Sequence, residues 1–150
     1  MKPLFALLFL AFAAVPAAAQ DSTPDADMPM IVSAGEIDPT TLLWIKRPLV
    51  VFADTPADPR YVEQMGYITD RLDALAARDV VVITDTDPAA RSAFRQKLRP
   101  RGFSLVLIGK DGEIYLRKPL PWQAREIMRS IDKLPTRQRE IREGKAAGGS

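Results

Sequence analysis

The chain has 150 residues, 47% of them apolar, a formal net charge of +2, and neither cysteine nor histidine. Without cysteine there is no thiol nucleophile, redox dithiol, disulfide or iron–sulfur cluster. Without histidine there is no Ser–His–Asp triad and no zinc site that uses imidazole. The composition is that of one globular domain, and the small net charge argues against nucleic acid as a partner. No cofactor is predicted.

The first nineteen residues have the features of a secretory signal peptide. Lys2 precedes an apolar run over residues 4–15, and Ala17 and Ala19 are the small residues of a cleavage site. The run is shorter than the roughly 20 residues that a membrane-spanning helix needs, which favours cleavage near Ala19 over a membrane anchor. We therefore expect a periplasmic or secreted protein with no membrane span in its mature chain.

Two polar segments flank the predicted domain. Residues 20–36 contain acids and prolines but no base, and they are predicted to be a flexible acidic leader. Residues 144–150 are mostly glycine and alanine, and they are predicted to be a disordered tail. The folded domain is therefore placed at residues 37–143.

Between these segments, apolar runs alternate with helical patterns. Runs rich in β-branched residues predict buried strands over residues 48–53, 79–84 and 103–108. Apolar residues at steps of three and four predict helices over residues 60–77, 88–99 and 121–134. Asp111 and Gly112 favour a hairpin turn, which leads to a return strand over residues 114–117.

Three Asp-Pro steps, led by Asp38, Asp58 and Asp87, fit the starts of helices. An aspartate at this position accepts hydrogen bonds from free backbone N–H groups, and proline suits the first turn. The negative charge also favours the helix N-terminus. The first interpretation of these acids is therefore structural.

The order of the elements predicts the fold class. Strands connected through helices run parallel, whereas the hairpin adds an antiparallel strand. Right-handed crossovers then produce a central mixed β-sheet flanked by helices. The chain is therefore predicted to be an α/β protein with the layout of a thioredoxin-like domain.

Four segments carry a resemblance to a known family. They are RPLVVFADTPADPRYVEQ, RDVVVITDTD, GFSLVLIGKDGEIYLRKPLPW and SIDKLPTRQREIRE. Together they resemble a thioredoxin-like domain of unknown function that occurs in secreted bacterial proteins and in vertebrate sushi-repeat-containing extracellular proteins. The resemblance covers about residues 38–142 and implies the thioredoxin-like fold and an extracytoplasmic setting. Because that family has no established activity, the resemblance implies no catalytic residue.

The similarity to true thioredoxins stops at the redox site. In those enzymes a CxxC lies between the first core strand and the next helix, whose N-terminus lowers the thiol pKa. Here the loop over residues 54–59 contains no sulfur, and residues 102–104, where thioredoxins have a cis-proline, contain no proline. The chain therefore resembles the scaffold without its redox chemistry.

Four loop aspartates are candidates for a ligand site: Asp54 and Asp58 after the first core strand, and Asp85 and Asp87 after the second. Ligands of open α/β sheets bind at the carboxyl ends of parallel strands. Two carboxylates, however, fall short of the roughly six to eight oxygens that Ca²⁺ takes. Asp85 and Asp87 also have the spacing of a phosphotransferase motif, but its lysine and further acidic motif are missing. Capping is the favoured role, and no metal is predicted.

The second predicted helix carries Arg91, Arg95 and Arg99 at every fourth residue. This spacing places the three side chains on one helix face, where their mutual repulsion is slightly destabilising. Such a face is a candidate for an anionic partner: lipid head groups, cell-wall polymer or an acidic protein surface. The alternative is a solvated face that pairs with acids elsewhere in the fold.

These features favour a non-catalytic binding module of the cell envelope, whose partner is an unknown protein or an anionic envelope component. One alternative is a metal-dependent hydrolase or phosphotransferase that uses the four loop aspartates. Another is a structural protein that pairs through an exposed sheet edge. The charged stretch over residues 136–145 is predicted to be a short helix that is either docked or solvated.

Overall fold

A computed structural model describes residues 28–147 of the chain. Within these residues, five strands form one sheet in the order β1-β3-β2-β4-β5. The strands are β1 (Ile31–Ser33), β2 (Arg47–Phe52), β3 (Val80–Asp85), β4 (Ser104–Ile108) and β5 (Ile114–Lys118). β1 and β2 each pair with β3 in parallel, β4 is antiparallel to β2, and β5 is antiparallel to β4. The sheet is therefore mixed, as predicted.

Helices cover the two faces of the sheet. They are α1 (Pro59–Thr69), α2 (Leu72–Ala76), α3 (Ala93–Leu98), α4 (Ala124–Asp132) and α5 (Pro135–Ala147), with short 3₁₀ turns at Pro39–Leu42 and Pro88–Ala90. No helix among residues 28–147 combines the length and the hydropathy needed to cross a bilayer.

The central strand β2 is buried along its whole length. Because side chains alternate along a strand, Leu49 and Val51 pack on the face that also buries Ile68 of α1 and Ile127 of α4. On the opposite face, Phe52 packs in a second cluster that contains Phe94 of α3. Burial on both faces explains why this strand reads as a continuous apolar run in the sequence.

The predicted leader over residues 20–36 is wrong at its carboxyl end. Ile31–Ser33 forms β1, which pairs in parallel with residues 82–84 of β3. A run of three residues is too short to indicate a strand, and this one is determined by its tertiary pairing. The predicted signal peptide at residues 1–19 and the leader residues 20–27 lie outside the described residues.

The predicted disordered tail also begins too early. α5 continues to Ala147, so residues 144–147 are helical. Lysine and alanine are good helix formers, and they extend a helix whose first turns are docked on the domain. Residues 148–150 lie outside the described residues.

Two predicted helices are interrupted. The helix predicted over residues 60–77 is divided into α1 and α2 at Asp70 and Arg71, where Thr69 Oγ1 donates to the Met65 carbonyl at 2.9 Å. Such a side-chain bond competes with the regular backbone pattern. The helix predicted over residues 88–99 consists of the 3₁₀ turn Pro88–Ala90 followed by α3.

The capping role of the Asp-Pro aspartates is confirmed. Asp38 accepts from the Thr40 amide at 2.7 Å, Asp58 from the Arg60 amide at 2.9 Å, and Asp87 from the Ala89 amide at 3.1 Å. Asp58 begins an α-helix, whereas the other two begin 3₁₀ turns. The hairpin is also confirmed, with Gly112 at a φ of 82° that suits glycine.

Candidate functional site

Three loops meet at one end of the sheet, termed here the upper end and defined by Phe52, Asp85, Ser104 and Lys118. Phe52 lies beside Asp85 in the parallel pair of β2 and β3, and beside Ser104 in the antiparallel pair of β2 and β4. Lys118 pairs with Leu105. The loops after β2 and β3 therefore lie next to the loop before β4, where open α/β sheets bind ligands.

Asp85 is the buried acid of the upper end, with a side chain that is 4% exposed. Its Oδ1 accepts from Arg95 Nη2 at 2.7 Å and Nε at 3.1 Å, and its Oδ2 accepts from Ser92 Oγ at 2.5 Å. Arg95 Nη2 also donates to the Ala53 carbonyl at 3.1 Å. The carboxylate is therefore engaged on both oxygens, and the cluster joins β2, β3 and α3.

The other three loop aspartates lie in the loops after β2 and β3. Asp58 accepts from the guanidinium of Arg60 at 2.9 Å, and this hydrogen bond lowers the pKa of the Asp58 carboxyl. Asp87 caps its turn, and Asp54 is exposed. Within residues 28–147, no three or more acidic side chains are grouped so that they could hold a metal ion. The geometry therefore gives no support to the metal-dependent alternative.

The prediction that Arg91, Arg95 and Arg99 share one helix face is wrong. Ser92 rather than Asp87 is the N-cap of α3 and accepts from the Arg95 amide at 3.1 Å. Arg91 precedes this cap with a φ of 48°, and Arg99 ends the helix with the same value. Of the three arginines, Arg95 alone lies within α3, and its side chain is 12% exposed because it pairs with Asp85.

Arg99 instead belongs to a cleft of about 380 Å³ at the upper end, termed here the arginine cleft. Its lining residues are Arg99, Arg101, Phe103, Ser104, Arg117 and Pro119. The three arginines are exposed, whereas Phe103 and Ser104 are buried. In the described part of the chain, none of the three forms an ion pair with a carboxylate.

The backbone around the arginine cleft is constrained. Arg99 and Gly102 have φ values of 48° and 60°, and Pro100 lies between them. The left-handed conformation at Arg99 costs free energy for a residue with a Cβ, and such strain is frequent at functional sites. Arg117 Nη2 donates to the Leu98 carbonyl at 3.0 Å, which holds this guanidinium against the same loop. The cleft is therefore preorganised.

The arginine cleft adjoins the position of the missing redox site. Arg60 follows the loop over residues 54–59, and its guanidinium lies 5.8 Å from the ring centroid of Phe103. No cis peptide bond occurs among residues 28–147, so the Gly102–Phe103 step is trans. Arginine, aspartate and phenylalanine side chains therefore occupy the corner where thioredoxins carry their dithiol and cis-proline.

An ion network that the sequence analysis did not predict lies at the opposite end of β2, termed here the lower end. The Arg47 side chain is 0% exposed, and its Nη2 is 2.8 Å from Glu140 Oε1. Lys110 Nζ lies 2.9 Å from the same carboxylate and 2.7 Å from Asp79. Arg47 Nη1 also donates to the Arg78 carbonyl at 2.8 Å. The network joins α5 to the sheet and to the hairpin.

Glu140 is the acid at the centre of this lower-end network. Burial alone would raise its pKa, but hydrogen bonds from Arg47 and Lys110, together with their charges, lower it from the ordinary value of 4.5 to about 2. Arg47, Lys110 and Glu140 lie in three of the four segments that carry the family resemblance. Their separation along the chain, 93 residues between Arg47 and Glu140, leaves no local pattern that would indicate the network.

The sequence matches the family described as Domain of unknown function (DUF4174) over residues 39–140. The chain belongs to this family. The DUF4174 domain includes both the arginine cleft and the lower-end network, and its matched region ends at Glu140. A search among curated protein sequences gave no match.

Two solved structures that are similar to the DUF4174 domain are a peroxiredoxin and a thioredoxin peroxidase. Prx1a of Plasmodium yoelii, modified at its N-terminus and forming an artifactual octamer, is 16% identical with a TM-score of 0.53, and the match covers 69% of this chain and 81% of that one. Plasmodium yoelii thioredoxin peroxidase I is 16% identical with a TM-score of 0.51, covering 67% and 79%. At this identity the likeness shows the thioredoxin-like fold, while the cysteine chemistry of peroxidases has no counterpart in a chain without cysteine.

Proposed function

We propose that this DUF4174 domain is a non-catalytic binding module that takes an anionic group in the arginine cleft. The observation that carries the proposal is the convergence of Arg99, Arg101 and Arg117 on one cleft with no acidic partner within the described residues. Three cations placed together repel each other, and an anion between them removes that cost.

The chemistry of the side chains supports the same conclusion. A guanidinium presents several N–H donors in a planar fork, which matches the oxygens of a carboxylate or a phosphate. The bond from Arg117 to the Leu98 carbonyl and the constrained loop before β4 reduce the entropy lost on binding. Buried Phe103 adds an apolar wall to the cleft.

A binding role is favoured over thiol-based redox catalysis because the chain has no cysteine. The proposal includes export to the cell envelope or the exterior, which is supported by the predicted signal peptide at residues 1–19. N-terminal sequencing of protein recovered from the periplasm or the medium checks this part, since an intact Met1 would contradict cleavage near Ala19.

Anion binding is tested by titrating ¹⁵N-labelled protein with sodium phosphate and with sodium citrate at constant ionic strength. We expect shifts of the amide resonances of Arg99, Arg101, Gly102, Ser104 and Arg117. Replacing two arginines of the cleft, Arg99→Gln with Arg101→Gln, should weaken the binding of either anion by about tenfold or more, because each charge-assisted hydrogen bond contributes roughly 1.5–3 kcal/mol.

The matched control is Arg125→Gln with Arg129→Gln, which removes two exposed arginines of α4. This variant has the same net charge as the cleft variant but an intact cleft, so its anion affinity should equal that of the wild type. Equal loss of affinity in both variants would mean that net charge, rather than the arginine cleft, attracts the anion. Shifts confined to other parts of the domain would also reject the proposal.

A further inference from the structure

Among residues 28–147, β5 is an edge strand whose outer side is unpaired. It has one neighbour in the sheet, β4, and in the described part of the chain no other backbone hydrogen bond involves residues 114–118. Ile114 and Tyr115 are 48% and 39% exposed. An open edge of this kind presents N–H and C=O groups that can pair with another extended chain.

The carboxyl end of β5 is cationic on both faces of the sheet. Arg117 and Lys118 are consecutive, so their side chains point to opposite faces. Arg117 lines the arginine cleft, whereas Lys118 Nζ lies 4.5 Å from the ring centroid of Trp122. Neither cation forms an ion pair with a carboxylate among residues 28–147. A strand added to β5 would therefore meet a cation at two successive positions.

We infer that the partner is an acidic polypeptide segment that adds to β5 as a further strand and places two consecutive acidic residues beside Arg117 and Lys118. The inference rests on the proposed function, because the acid beside Arg117 occupies the arginine cleft. Main-chain hydrogen bonds to β5 provide affinity, and the two ion pairs fix the register. The exposed Ile114 and Tyr115 would pack against apolar side chains of the same segment.

Charge also decides between this partner and a second copy of the chain. β5 contains two cations and no acid, so two copies paired through β5 would bring like charges into one interface. An acidic segment neutralises the same cations. The register between β4 and β5 is irregular at Leu107 and Ile108, which leaves residues 116–118 as the regular part of the edge. The partner segment is therefore short.

The experiment uses the full chain, labelled with ¹⁵N, and an acetylated and amidated peptide of sequence Thr-Val-Thr-Val-Glu-Glu-Thr. A second peptide has the reversed sequence, since the added strand can run in either direction. Amide hydrogen exchange of residues 114–118 is measured with and without each peptide. We expect at least one peptide at saturation to slow exchange about tenfold or more at those β5 amides that do not donate to β4.

Two variants distinguish addition of the peptide to β5 from nonspecific electrostatic attraction between the peptide and the domain. Arg117→Gln should weaken binding of the peptide by about tenfold, whereas Arg125→Gln, at an exposed arginine of α4, should leave it unchanged. Peptides with glutamine in place of both glutamates should protect β5 much less. Equal protection by the glutamine peptides would overturn the acidic specificity.

The failure of this inference is distinguishable from failure of the proposed function. If citrate and phosphate shift the cleft resonances but no peptide protects β5, the cleft binds anions and the inference is wrong. If neither anions nor peptides act, both are wrong. Binding to phosphatidylglycerol vesicles through the same arginines, without peptide protection of β5, would assign the cleft to lipid head groups and would also overturn the inference.

Discussion

The Glu140 carboxylate accepts hydrogen bonds from the fully buried Arg47 and lies 2.9 Å from Lys110 Nζ. Its folded pKa of about 2 lies below the ordinary value of 4.5. A carboxyl whose pKa is depressed on folding stabilises the protein above its unfolded pKa, and this contribution is lost as protons bind. The stabilisation should therefore be complete at neutral pH and decline from about pH 4.5 to about pH 2.

We predict that Glu140→Gln lowers the free energy of unfolding by about 3 kcal/mol at pH 7, because a shift of one pKa unit corresponds to about 1.4 kcal/mol. The variant also leaves the buried charge of Arg47 without its partner. Urea unfolding at pH 7 and at pH 3 measures the effect, and the difference from the wild type should shrink at pH 3. Glu143→Gln, at an exposed acid of α5, is the control. A difference that grows on acidification would contradict the assigned pKa shift.

Regular spacing in the sequence did not predict that Arg95 and Arg99 have different environments. Both are arginines near one short helix, yet one is buried against Asp85 and the other lines the arginine cleft. The distinction depends on Ser92, which begins the helix five residues later than the Asp87-Pro88 step suggests. A serine N-cap and an aspartate N-cap have similar preferences, so local sequence could not decide between them.

The elements themselves follow closely from the sequence. Buried strands rich in valine, isoleucine and leucine and the Asp-Gly hairpin were predictable because they depend on local patterns. β1 was not predictable, because its three residues become a strand by pairing with β3. The lower-end network was not predictable either, since Arg47 and Glu140 are brought together by the return of α5 across the domain. Contacts between residues so far apart in the chain produce no repeating pattern in the local sequence.

The backbone immediately before α3 is strained at Arg91. Arg91 has a φ of 48°, which is unfavourable for a residue with a Cβ. We expect Arg91→Gly to raise the free energy of unfolding by about 0.5–1 kcal/mol, because glycine adopts this conformation without steric cost. The backbone carbonyl of residue 91, which accepts from Gln96, is kept. Thermal unfolding measures the change.

The control for this substitution is Arg129→Gly, at an exposed position beyond the first turn of α4. There glycine should destabilise by about 1 kcal/mol, as is usual inside a helix. Destabilisation of similar size at both positions would show that Arg91 is not strained and that its side chain supports the turn.

At the scale of the whole domain, the two ends of β2 have separate roles. The lower end is held by an ion network around buried Arg47 that connects α5 with the sheet. The upper end carries the arginine cleft, whose three exposed arginines have no acidic partner among residues 28–147. The six residues of β2 separate these ends by roughly 17 Å, at about 3.3 Å per residue. The upper end also carries the guanidinium of Arg60, which lies 5.8 Å from the ring centroid of Phe103.

This separation predicts that stability and anion binding can be changed independently. Glu140→Gln should lower the free energy of unfolding while leaving the citrate affinity of the folded protein within about twofold of the wild type. The double variant Arg99→Gln with Arg101→Gln should do the reverse, because substitutions at exposed positions usually change stability by less than about 0.5 kcal/mol. Combining all three substitutions should produce additive effects in both measurements, since residues without shared partners do not couple. A loss of citrate affinity in folded Glu140→Gln would instead show that the lower-end network holds the arginine cleft in its binding geometry.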